Sequence, residues 1–204
     1  MTATIKLTYF DTRGRGENIR VALSLAKIPF EDERLSKEQF EERKETFPFL
    51  QLPCLTVDGQ IYCQSVSILR YIGKIGKLYP EDPLLALKVD SIIDYTEEIR
   101  DVMAPSFKEE DDAKRIAMRE GYVQNDFPRM FARLEKYVDS DEFCVGTTTT
   151  IADIAVSYLV TMMTIGFIGG VPKNVLDGYP KLLGIKKRFT GLPEYQAWEN
   201  RSRQ

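Results

Sequence analysis

The chain opens on alternation: residues 4–9 alternate polar and apolar in the manner of a short strand, after which Ile19, Ala22, Leu23 and Ala26 fall at i, i+3, i+4 and i+7. This predicts a helix that Pro29 closes. A second strand is expected around Phe30–Arg34, followed by the charged segment KEQFEERKE, whose single apolar residue, Phe40, predicts a solvent-facing and loosely held helix. The run Cys54–Val57, the turn Asp58-Gly59 and the run Gln60–Cys63 read as a two-residue hairpin. Counting across that turn pairs Val57 with Gln60, and therefore Cys54 with Cys63 on one face. A third helix starts at Ser65, with Val66, Leu69, Ile72 and Ile75 marking its buried side, and stops in the glycine and proline cluster from Gly76 to Pro83. The order is β-α-β-α-β-β-α.

From Pro83 onward the periodicity is helical throughout. Leu85, Val89, Ile92, Thr96, Ile99 and Met103 form one face of a long helix, and further helices are expected at about 112–138, kinked at Pro128, and at 150–165, 180–188 and 193–201. Residues 151–170 are apolar enough to raise a membrane span, with Asp153 the sole charge. Thr150 followed three residues later by Asp153 is a helix start of the capping-box kind, and Gly166, Gly169 and Gly170 end the pattern early, so a buried core helix is expected instead. The same spacing decides the role of Asp153. A lone carboxylate in an apolar helix invites a reading as a catalytic acid, but here it belongs to the cap.

Composition narrows the chemistry. The 204 residues, 43% of them hydrophobic, suffice for one large domain or two small ones. A net charge of −3 leaves no basic field for nucleic acid. The first 81 residues hold 12 basic against 11 acidic side chains and the rest 16 against 20, so the N-terminal part suits a small anionic ligand. The absence of histidine excludes serine-protease-like triads and His-ligated metal catalysis, and leaves acid–base work to Tyr, Lys, Asp, Glu or Cys. Three cysteines without metal-like or CxxC spacing argue against a disulfide framework or a structural zinc, and favour a reducing, cytoplasmic compartment. The N-terminus has no apolar run long enough for a signal peptide, and no membrane role is expected.

Three segments, KLTYFDTRGRGENIR, FPFLQLPCLTVDG and YCQSVSILRYI, together with the Thr150 to Asp153 helix start, resemble the cytosolic glutathione transferases, closest to the sigma class. The resemblance spans essentially the whole chain in order. It implies an α/β thioredoxin-like domain over residues 1–81 that binds glutathione, an all-α domain over 82–204 that contributes to the electrophile pocket, and a homodimer.

Physically, such a site needs a donor for sulfur, because a thiol of pKa about 8.5 is only a few per cent ionised at neutral pH. The resemblance gives that part to Tyr9. A phenol stays protonated and can donate; in isolation Tyr9 reads rather as an ordinary strand-end aromatic, and the adjacent RGRGE reverses that preference. Arg15, at the entry to the first helix, would add its charge and the helix N-terminus to the same field. Gln64-Ser65 opens a helix whose N–H groups and serine hydroxyl can hold a carboxylate, by resemblance the γ-glutamyl one, and a plain serine N-cap is compatible with that role. Gln51 is a further contact implied by the resemblance. Leu52-Pro53, by itself a turn proline, is in the family a cis bond that exposes the backbone of Leu52 to the cysteinyl unit. Phe40 stands where sigma members commonly have tryptophan, and so lacks the indole N–H, and Lys44 can meet the glycine carboxylate. Leu50 departs from a usually small residue. Phe49 matches an aromatic that inserts into the neighbouring subunit in related classes, and reads otherwise as a core residue.

The electrophile pocket is expected to combine Phe10, Thr12 and Arg13 with the long helix near Arg100 and Met103. On that helix Asp90, Asp94, Glu97, Glu98 and Asp101 form an acidic stripe. It reads as a solvated face, or as a dimer face opposite basic side chains or hydrated Mg²⁺. By resemblance Glu98 reaches the glutathione of the partner subunit. The expected activity is conjugation of the glutathione thiolate to small hydrophobic electrophiles, with no metal in the site. Alternatives are isomerase or peroxidase chemistry on an endoperoxide, as in some sigma members, or a non-catalytic, crystallin-like ligand binder. Glutaredoxin-like exchange at Tyr9's position is disfavoured, because no cysteine lies near it.

Overall fold

A computed structural model describes residues 4–202. Strand β1 (Ile5–Phe10) leads through a 3-10 turn at Gly14–Gly16 into α1 (Glu17–Leu25), then β2 (Glu31–Leu35), α2 (Lys37–Arg43), β3 (Cys54–Val57), β4 (Gln60–Cys63) and α3 (Ser65–Ile75). The sheet order is β2-β1-β3-β4, with β1 and β2 parallel and the other pairs antiparallel. Asp58 and Gly59 both take positive φ, 48° and 86°, the type I′ geometry whose twist matches a two-residue hairpin. That turn fixes the register, and Cys54 faces Cys63 as the count predicted.

Two details depart from expectation. On α3 the buried residues are Ile68, Leu69, Ile72 and Gly73, while Ile75 is 45% exposed. The buried stripe is thus rotated relative to the predicted one. Helix α2 is also better anchored than its polarity suggested, since Ser36 and Gln39 form a capping box, and Phe40 packs against the small core of Leu35, Phe47 and Cys54. The S-x-x-Q spacing was readable from the sequence.

The remaining helices are α4 (Pro83–Met103), α5 (Asp112–Asn125), α6 (Phe127–Tyr137), α7 (Ile151–Thr164), α8 (Pro180–Thr190) and α9 (Pro193–Ser202). The single kinked helix expected over 112–138 is two. Proline lacks an N–H and is tolerated in a first helical turn, so Pro128 starts α6 instead of bending α5. Asp82 caps α4 through the N–H groups of Leu84 and Leu85. Helix α7 is buried along almost its whole length, as expected of a core helix, and no helix among the described residues is long and apolar enough to cross a membrane. Asp153 accepts from the backbone and hydroxyl of Thr150 at 2.7 and 2.9 Å and from the N–H of Cys144 at 3.0 Å, which completes the cap. Burial pushes its carboxyl up, against those hydrogen bonds and the field of Arg188. The group is a structural cap, not a catalytic acid.

Contacts divide the chain into two units, one reaching to Pro80 and resuming at Pro193, the other spanning Glu81–Leu192. Helix α9, expected with the helical domain, groups with the first unit. The physical reason is the indole of Trp198, which donates to Glu17 on α1 at 3.0 Å, a buried contact 181 residues apart in sequence.

Candidate active site

The first unit carries a cleft of about 550 Å³ lined by Phe10, Arg15, Phe40, Lys44, Leu50, Gln51, Leu52, Pro53, Cys63, Gln64 and Ser65. Eight of the residues singled out from the sequence for glutathione therefore share one wall system: Arg15, Phe40, Lys44, Gln51, Leu52, Pro53, Gln64 and Ser65. Tyr9 is buried behind this lining and is tied to it through Arg15, whose backbone N–H donates to the Tyr9 hydroxyl at 2.9 Å. A phenol has one proton and two lone pairs, so an accepted bond leaves the O–H to point elsewhere. Glu98 lies in the second unit, on the exposed side of α4.

The RGRGE sequence now has a mechanical explanation. A Cβ on Gly14 would lie 2.4 Å from the Tyr9 hydroxyl oxygen, and one on Gly16 would lie 2.5 Å from the Tyr9 ring. Gly14 also takes φ +41°, which favours glycine. The two glycines clear the space that the phenol occupies, and Arg15 between them supplies the hydrogen bond.

Arg20 completes this arrangement and was not singled out from the sequence. Its side chain is fully buried, donating to the carbonyls of Thr12 and Phe10 at 2.7 and 3.1 Å and to Asp32 at 2.9 Å, with its guanidinium 5.6 Å from the Tyr9 ring centre. Asp32 in turn accepts from Arg34, which also reaches Asp11. The loop after β1 is thus held by a charged network beneath it. A lone arginine directly after Ile19, on an otherwise apolar helix stretch, was the signal available. Arg13, expected in the electrophile pocket, pairs with Glu199 of α9 at 2.8 Å. Burial opposes its charge, but the hydrogen bond and field of Glu199 outweigh burial and raise its pKa. Thr12 contributes its carbonyl to Arg20.

On the opposite wall, Leu52–Pro53 is cis. Gln64 takes φ 75° and is itself the N-cap of α3, so Ser65 is the first helical residue and not the cap. The Gln64 cap makes no side-chain hydrogen bond to this helix start, and Gln64 and Ser65 line the cleft there. Lys44 sits 3.3 Å from Glu41 and 5.6 Å from the centre of the Phe40 ring. Phe40 packs edge-on against Phe10, with ring centres 5.3 Å apart. Leu50 lines the cleft in a left-handed conformation at φ 52°. Phe49 is 59% exposed and so is no core aromatic. Among the described residues no cluster of three or more His, Cys, Asp or Glu could hold a metal, and in the acidic stripe Glu97 pairs with Arg100 at 3.3 Å.

Residues 5–74 match the glutathione S-transferase N-terminal domain family, and residues 97–202 match a glutathione S-transferase C-terminal domain family. Glutathione S-transferase 1 of Ascaris suum is 35% identical over 200 residues, covering 95% of this chain and 94% of its own. The hematopoietic prostaglandin D synthase of Gallus gallus is 31% identical over 193 residues, covering 95% and 94%. The solved structure of prostaglandin synthase D of Nilaparvata lugens superposes with a TM-score of 0.86 at 30% identity, covering 97% of this chain and 98% of that one. The chain belongs to the glutathione S-transferase family, sigma-like in its relatives, whose enzymes take glutathione as co-substrate.

Proposed function

We propose that the protein conjugates the glutathione thiolate to small hydrophobic electrophiles, with the Tyr9 O–H donating to the sulfur. The observation that carries this reading is the 2.9 Å bond from the Arg15 N–H to the Tyr9 oxygen, which holds the phenol as acceptor and keeps its proton for a ligand. Lowering a thiol pKa by about two pH units requires roughly 2.7 kcal/mol of preferential thiolate stabilisation. A charge-assisted hydrogen bond with the cation of Arg15 nearby supplies that order of energy.

The rest of the tripeptide has matching chemistry in the cleft. The N–H groups at Gln64 and Ser65 suit the γ-glutamyl carboxylate, with Gln51 as a further contact. The backbone of Leu52, beside the cis Pro53, suits the cysteinyl unit as an added strand. Lys44 suits the glycine carboxylate by exchanging Glu41 for it, and Phe40 lines that end apolarly.

A homodimer in the cytoplasm completes the reading, with Glu98 meeting the γ-glutamyl ammonium of the partner's glutathione. Exposed Leu84 and Leu87 on α4, and Phe49 beside an apolar hollow lined by Val57, Ile61, Tyr62, Ile68 and Tyr71, support a partner surface.

The test is Tyr9→Phe. Glutathione affinity should stay within a few-fold while the conjugation rate falls about ten- to a thousand-fold, as loss of one donor to a developing or held anion does. Full turnover at neutral pH in the variant would remove Tyr9 from the chemistry. The prostaglandin D synthase relatives support a second reading, isomerisation of an endoperoxide by the same thiolate. Parallel turnover against an aryl halide and an endoperoxide separates the two.

A further inference from the structure

Cys54 and Cys63 take no part in the proposed transfer, yet their sulfurs lie 3.0 Å apart and both thiols are free. The register explains the approach. In a type I′ hairpin the pair flanking the turn, Val57 and Gln60, is hydrogen-bonded, and pairs alternate from there, so Cys54 and Cys63 occupy a non-hydrogen-bonded position. Cα atoms at such positions lie about 4.5 Å apart, within the roughly 4.4–6.8 Å that a disulfide spans. The strand pairing thus already holds the two residues at bridging distance.

The two thiols are chemically unequal. Cys63 is half-buried and lines the cleft beside Gln64 and Ser65. Cys54 is buried, is hydrogen-bonded to the Gln51 carbonyl at 3.3 Å, and has its pKa pushed far up by burial and by its neighbour Cys63. Cys63 is therefore the more accessible of the two thiols, with the Cys54 sulfur 3.0 Å behind it. Cys144 offers a contrast within the same chain. It is fully buried beside Asp153, and burial raises its thiol well above the ordinary range, so it is out of reach of a disulfide reagent.

We propose that Cys63 and Cys54 form a thiol–disulfide exchange site, in which Cys63 takes a glutathionyl group from glutathione disulfide in the cleft and Cys54 displaces it to close an internal disulfide. The pairing of the thiols stands on the hairpin alone, whereas the identity of the oxidant rests on the reading of the cleft as a glutathione site. In the first step the Cys63 thiolate attacks one sulfur of glutathione disulfide. A Cys63–glutathionyl bond forms, the original sulfur–sulfur bond breaks, and the leaving glutathione thiolate takes up the proton Cys63 had given to solvent. In the second step Cys54 loses its proton and attacks the Cys63 sulfur, expelling a second glutathione, which takes up that proton. The protein dithiol is oxidised, one glutathione disulfide is reduced to two glutathione molecules, and no further oxidant is required.

The experiment treats the reduced full-length protein with glutathione disulfide under anaerobic conditions and follows intact mass, peptide maps and released glutathione. The parent should end as a Cys54–Cys63 disulfide, with two glutathione molecules released per chain. Cys54→Ser should stop at a glutathionyl adduct on Cys63, Cys63→Ser should lose reaction at Cys54, and dithiothreitol should reverse both products. Cys54→Ala repeats the first arm if serine in that buried position impairs folding. The parent should react faster with glutathione disulfide than with hydroxyethyl disulfide, and S-methylglutathione, which has no thiol, should slow the reaction with glutathione disulfide. A parent protein that binds S-methylglutathione by calorimetry yet stays reduced overturns the exchange site and leaves the cleft reading intact. A protein that does not bind S-methylglutathione and reacts with both disulfides alike overturns the part given to glutathione disulfide, and with it the reading of the cleft.

Discussion

At the scale of single residues, the placement of one phenol is decided by what its neighbours lack. Gly14 and Gly16 leave the volume that the Tyr9 side chain fills, so Gly14→Ala places a methyl group 2.4 Å from the hydroxyl oxygen and forces one of the two to move. Gly14→Ala should therefore lower turnover by about the ten- to thousand-fold expected for Tyr9→Phe, because it disturbs the same donor. Near-parental kinetics in a folded Gly14→Ala protein would mean that the hydroxyl's position is not critical. The sequence made Tyr9 and Arg15 legible as a pair through RGRGE, but not their contact, since a backbone N–H donating to a side chain six residues away depends on the turn between them. Arg20 was illegible for a related reason. Its partners are the carbonyls of Phe10 and Thr12 and the carboxylate of Asp32, and none of these can be assigned before the loop and strand are folded onto α1. A buried charge of this kind is tolerated because each of its three nitrogens finds an acceptor, one of them a carboxylate.

At the scale of elements, periodicity and turn chemistry carried the order of the first unit, and the Asp58-Gly59 turn carried the hairpin register down to the cysteine pair. Pro128 marked the Asp126–Phe127 break, but apolar spacing runs on through it, so a proline that opens a new helix reads like one that bends a continuous helix. The grouping of α9 with the first unit depends on a contact too distant in sequence for local patterns to record. Strand β2 shows how polar residues can hold an edge. Glu33 accepts from Thr8 of β1 at 2.7 Å and from Arg43 of α2 at 3.0 Å, with Lys6 at 3.6 Å. Burial alone would raise the Glu33 carboxyl, but the Arg43 and Thr8 hydrogen bonds and the field of Lys6 bring it below its ordinary value near 4.5. A lowered carboxyl contributes stability that is present above about pH 4.5 and is lost as pH falls through its folded value. Glu33→Gln should therefore be less stable than the parent at neutral pH, and the difference should shrink below about pH 4.5 in urea titrations. A difference that stays constant down to pH 3 would contradict the ion-pair account.

At the scale of the whole molecule, the proposed contact of Glu98 with glutathione needs a second copy. Phe49, Leu84 and Leu87 are 59%, 76% and 61% exposed, which is costly apolar surface for a chain without a partner. Light scattering should report a dimer, and Phe49→Glu should weaken it, while Glu98→Ala should reduce glutathione affinity by several-fold in a protein that remains dimeric. A monomeric parent, or an unchanged affinity in dimeric Glu98→Ala, would remove the partner from the site. The central claim, however, is that Tyr9 holds bound sulfur as a thiolate. The measurement that tests it most directly is the ultraviolet absorbance of the thiolate in the glutathione complex, titrated with pH in the parent protein and in Tyr9→Phe. The account predicts ionisation centred about two pH units below the free thiol value of about 8.5 in the parent, and a return toward 8.5 in the variant. The same low midpoint in both proteins would contradict it.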